Sequence, residues 1–180
     1  MGLRTYRAVG PAAAQSIRFL VARIGAPLIA FPSDWVRGIV TLSEAGNGPT
    51  VAWAGMAYDR TNLAERLTRS TPTLNSDSRI ILYGNDERSR AFLVEQVMGL
   101  VDVARHEIRP MPPHFRGAER ERLIGFFMDP DYIALIANPY WVLELPAGKD
   151  VLGTLGRQTG DKGATPSLTL PQLAAVGARE

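Results

Sequence analysis

The chain has 180 residues, 46% of them apolar, which is enough for one domain with a continuous core. Charged residues make up 21% with a net charge of +2, a balance that excludes wholesale disorder and a partner chosen by charge alone. The absence of cysteine excludes disulfides and cysteine-ligated zinc, and lysine occurs only at 149 and 162, so 18 of the 20 basic residues are arginines, whose planar forks suit carboxylate or phosphate.

In chain order, Ile17, Leu20, Val21 and Ile24 recur at helical spacing and predict a helix over 12–24, stopped by Gly25 and Pro27. PLIAF and GIVTL read as short strands. EAGNGPT, residues 44–50, reads as a loop or hairpin turn, and VAWAGMAY as one further strand with Val51 and Trp53 on a shared face. Asp59 or Thr61 can open a helix over 61–69 carrying Leu63 and Leu67. RIILYG is a strand ended by Gly84. Asn85 or Asp86 can then cap a long helix over 87–104, where Leu93, Val97, Leu100, Val101 and Ala104 form an apolar stripe.

HEIRPM returns as a strand over 107–111 before a proline-rich loop. A shorter helix follows with Leu123, Ile124 and Phe127, its start favoured by Glu119 and Glu121. DYIALIANPYWVLELP reads as two strands about an Asn138-Pro139 turn, with Trp141, Leu143 and Leu145 on one face. The expected fold class is α+β: residues 1–146 form one domain, a mixed sheet packed by two or three helices around a β-α-β-(β)-α-β central unit. Residues 147–180, with six glycines and one short apolar cluster, form an extended arm that gains order on a neighbour.

No constellation here carries catalysis, cofactor binding or metal ligation. His106 and His114 are separated by a proline-rich bend, and a zinc site would still need Asp102 or Glu107. The carboxylates of DPD, residues 129–131, open a turn, and GKD at 148–150 lacks the rest of a phosphate loop. GNDER after the strand lacks the glycine spacing for a dinucleotide and presents Asp86 and Glu87 to any phosphate. Arg79, Arg88, Arg90, Arg105, Arg109 and Arg116 gather around the central unit. Asp77, Asp86, Glu87, Glu95, Asp102 and Glu107 interleave with them, a mixed surface better matched to a protein than to a polyanion. The expected interaction residues are these six arginines and Asp102.

The order read from residue 50, with Ile80, Ile81, Gly84, Glu87, Leu100, Val101 and Asp102, resembles the N1-type ring-building module of bacterial secretins. That resemblance implies side-by-side packing of wedges without catalysis. Compact α+β subunits with extended arms also build the neck and tail rings of tailed phages. The sequence thus leads to the expectation of a non-enzymatic virion neck or tail component, a homo-oligomeric ring whose partners are copies of itself and neighbouring assembly proteins. The alternatives are a nucleic-acid-binding module using the arginines around the long helix, and a ring subunit of a secretion system. With no secretory signal and no apolar run long enough to span a bilayer, the expected location is the virion or the cytoplasm.

Overall fold

The computed structural model describes residues 16–69 and 71–146, and its densest apolar runs are strands. In β1, Ser16–Arg23, the side chains of Ile17, Phe19 and Val21 enter one apolar cluster while Leu20 and Ala22 enter another. β2, Leu28–Pro32, divides the same way, with Leu28 and Ala30 on one side and Ile29 and Phe31 on the other. A strand apolar on both faces must be covered on both, which dictates two layers of packing.

The second sheet repeats the pattern. After a 3-10 turn at Ser33–Trp35, β3 spans Val36–Thr41 and α1 is a single turn, Leu42–Ala45. The hairpin of β4, Thr50–Trp53, and β5, Met56–Thr61, then leads to α2, Leu63–Thr68, whose first turn is capped by the Asn62 side chain. β6, Arg79–Gly84, and β7, Ser89–Val94, send Ile80, Leu82 and Ala91 into this sheet's own interior and Ile81, Tyr83, Phe92 and Val94 outward. The chain then returns to the first sheet with β8, Gln96–Ala104; β9, Arg109–Pro110; β10, Leu123–Asp129; and β11, Tyr132–Ala137. A short α3, Ala118–Arg122, precedes β10, and α4, Pro139–Leu143, follows β11.

Sheet A runs β8-β1-β2-β11-β10-β9 and sheet B runs β3-β6-β7-β5-β4; β2 with β11 and β5 with β7 are the parallel pairs. Each sheet curls into a barrel. In sheet A the rings of Phe19 on β1 and Phe127 on β10 meet at 5.6 Å although two strands lie between them in the sheet. In sheet B the edge strands meet: Trp53 Nε1 on β4 lies 3.3 Å from where a side-chain carbon would stand at Gly38 on β3. The outward faces of both barrels share a third core, in which Phe31 of sheet A packs on Phe92 at 5.0 Å and Tyr83 at 5.8 Å, both from sheet B.

This architecture corrects the α+β expectation: the described residues hold eleven strands and four short helices, and no helix layer covers a mixed sheet. The expected long helix 87–104 is a turn followed by β7 and β8. The helix expected over 12–24 is β1 from residue 16 onward, with 12–15 outside the described residues, and Leu123, Ile124 and Phe127 lie on β10. Helical spacing and strand spacing coincide in short apolar runs: β1 and β7 bury residues of both faces, whereas β8 alternates exposed with half-buried residues at the strand period of two. VAWAGMAY is a hairpin rather than one strand, turning at Ala54 and Gly55, whose φ angles are 49° and 78°. The expected arm, 147–180, lies outside the described residues. Among the described residues no helix is long and apolar enough to cross a membrane.

Candidate protein-docking surfaces

Most large apolar side chains are buried, so those left in solvent stand out, and four of them form two cross-strand pairs. On the β4–β5 hairpin of sheet B, Trp53 and Met56 sit directly opposite one another, 41% and 44% exposed. The pair is braced from beneath, since Tyr58 donates a long hydrogen bond to Met56 Sδ at 4.0 Å and the Trp53 indole lies over Gly38. On the β10–β11 hairpin of sheet A, Met128 and Ile133 are directly opposite and 58% and 56% exposed. Directly opposed side chains on one face form one continuous apolar surface, and methionine and tryptophan are enriched where proteins dock.

A charged seam joins the elements between the barrels. Arg90 on β7, whose side chain is only 14% exposed, donates to Asp59 at 3.1 Å and to Glu144 at 2.8 Å. Glu144 also pairs with Arg66 of α2 at 3.2 Å, and Arg66 donates through Nη2 to the Trp141 carbonyl and lies 4.4 Å over the Trp141 ring. Arg122 approaches the same ring at 5.6 Å. The position of Trp141 follows from Asn138, which accepts from the Tyr140 N–H at 3.1 Å, and from Pro139 in the first helical position; together they open α4 where the sequence suggested a turn between strands. The seam is an ion-pair and cation–π network that fixes α2 and α4 against β5 and β7.

The seven residues expected to form an interaction face are divided between the two sheets. Arg79 begins β6 and donates to the Ser76 and Ser78 carbonyls at 2.8 Å; Arg88 lies in the exposed turn after Gly84; Arg90 is the hub of the seam. Asp102 stands on β8, bound by both oxygens to Arg18 at 2.9 and 3.0 Å, and that hydrogen bond raises the Arg18 pKa above its ordinary value. Arg105 is in the 3-10 turn after β8, Arg109 is on β9, and Arg116 is exposed in the loop before α3. The helix that would have collected them is absent. His106 and His114 are both exposed, His114 against the Phe115 ring at 4.7 Å, and no cluster suited to a metal ion occurs among the described residues.

Reading for charge missed Arg18, Arg66, Glu144 and Trp141, and the apolar pattern missed the exposure of Met128 and Ile133. The motif Asn138-Pro139 could have placed Trp141 on a helix.

No family model and no curated protein matches the chain. Among solved structures it is similar to the scaffolding protein TtCheW from Thermoanaerobacter tengcongensis, with a TM-score of 0.56 and 17% identity over 68% of this chain and 89% of that one. The likeness shows a shared fold. It overturns the expectation of a virion neck or tail ring subunit, which rested on a β-α-β wedge that the chain does not form. Of the residues behind the secretin resemblance, Ile80, Ile81 and Gly84 share β6, Glu87 lies in the following turn, and Leu100, Val101 and Asp102 lie on β8.

Proposed function

We propose that this chain is a non-catalytic scaffold domain that holds partner proteins on the exposed hairpins of its barrels. The observation that carries the reading is the pair of apolar cross-strand patches, Trp53 with Met56 and Met128 with Ile133, one on each barrel of a fold shared with a scaffolding protein. The Met128–Ile133 pair lies on the face of sheet A opposite the interior that Phe127 and Ala134 fill, and the Trp53–Met56 pair keeps over two fifths of each residue exposed although the Trp53 indole also helps to close its barrel. Two patches on two sheets suit a protein that bridges partners rather than one that encloses a small molecule.

The test is reconstitution. A protein retained by the immobilised full chain is purified and titrated against wild type, against Trp53→Ala with Met56→Ala, and against Met128→Asp with Ile133→Asp. At least one double variant should weaken a reconstituted complex about tenfold or more while its circular dichroism stays unchanged. Complexes indifferent to both variants would reject the reading.

A further inference from the structure

The β10–β11 hairpin extends past the strands beside it. β9 pairs with β10 only at Gly125 and Phe126, and β2 pairs with β11 only at Ala134, Leu135 and Ile136. Among the described residues, 127–129 of β10 therefore have no strand on their outer edge. An edge with unmet N–H and C=O groups is a template for another strand.

Two chemistries flank this edge. On one face the cross-strand pairs run from half-buried Phe126 and Leu135 to exposed Met128 and Ile133. At the tip stand Asp129 and Asp131, neither within 4 Å of a basic group among the described residues; Asp129 accepts the Asp131 N–H at 3.3 Å. Burial first, then these two carboxylates, raise the Tyr132 hydroxyl above its ordinary value. The hairpin tip is therefore negative beside an apolar surface, with Arg109 of β9 opposite Phe126 further down the edge. A second copy of the hairpin laid tip to tip would oppose carboxylate to carboxylate, so the surface does not suit self-pairing.

We propose that the free edge of β10 takes an extended segment of a partner protein in which apolar and lysine or arginine residues alternate. In such an added strand successive side chains face opposite sides. One set lies against Met128 and extends its apolar surface shared with Ile133, and the other brings cations to Asp129 and the Asp131 tip. The inference deepens the scaffold reading and rests on it, because it names the chemistry of one of the two docking hairpins.

The probe is a capped octapeptide of alternating valine and lysine, titrated into the isotope-labelled full chain by NMR, beside the same peptide with glutamate for lysine. Amide shifts should concentrate at 126–133. The lysine peptide should bind about tenfold tighter than the glutamate peptide at low salt and lose most of that advantage at high salt. Asp129→Asn with Asp131→Asn should abolish the preference without altering the rest of the spectrum. Equal affinity for the two peptides, shifts centred elsewhere, or no binding would overturn the proposal. Broadening of the same residues with protein concentration alone would assign the edge to a second copy and overturn it equally. If a reconstituted partner needs Met128 and Ile133 but the peptides show no charge preference, this inference fails and the scaffold reading stands.

Discussion

Two apolar places on the outward face of sheet A have opposite fates. Around Leu20, Ile29 and Phe31 that face is covered by Ile81, Tyr83 and Phe92 of sheet B, and all six side chains are buried. Around Met128 and Ile133 the described chain leaves more than half of each residue exposed. The same chemistry is cohesion in the first place and an offered surface in the second. The difference is the presence of a second barrel, which supplies stacked and edge-on aromatic rings at 5.0 to 6.3 Å. Substitutions should separate the two: those in the seam should cost stability, and those on the hairpin should cost binding.

The largest expected effect is in the covered region. Phe31→Ala removes a fully buried ring from between the barrels and should cost about 3–5 kcal/mol in urea unfolding. A loss below about 1 kcal/mol would mean that the barrels do not depend on this contact. Next comes the ion-pair hub: Glu144→Gln leaves the half-buried Arg90 with Asp59 alone and should cost about 1–2 kcal/mol. That loss should shrink in high salt.

Much of the covered region is legible in the sequence, because RIILYG and PLIAF are too apolar and too short for anything but buried strands, and the helix at Leu63 declares itself through Leu63 and Leu67. The segment 87–104 is not. Asn85, read as a helix cap, does accept the N–H groups of Glu87 and Arg88, at 3.0 and 2.8 Å, but within a tight β6–β7 turn. Helix caps and Asx turns use the same side-chain hydrogen bond. Gly84 permits that turn, since a side-chain carbon there would lie 2.4 Å from the Arg88 carbonyl oxygen. Leu100, placed on the buried stripe of the supposed helix, is 51% exposed on β8. The β-branched Val94, Val97, Val101 and Val103 were the contrary signal. The candidate site was less legible still. Met128 and Ile133 look like any strand residues, and their exposure depends on where β9 and β2 stop.

A smaller effect sharpens the comparison from the covered side. The Tyr83 hydroxyl is buried without a hydrogen-bond partner among the described residues. Burial, aided by Asp34, raises its pKa well above the ordinary 10.0. The folded chain therefore keeps a proton that the unfolded chain releases. Stability is full below about pH 10 and falls as the pH rises above it. Tyr83→Phe should raise stability by about 1 kcal/mol at neutral pH and reduce the alkaline loss, as followed by urea midpoints across the pH range. Smallest of all should be Met128→Asp with Ile133→Asp, which changes exposed positions and should move unfolding by less than about 1 kcal/mol.

The most direct measurement is amide hydrogen exchange on the full chain with and without a reconstituted partner. Slowed exchange at 51–58 or 126–135, with β1, β6 and β7 unchanged, is the result expected of hairpins that dock proteins. Protection confined to the seam between the barrels, with both hairpins exchanging as fast as before, would contradict it.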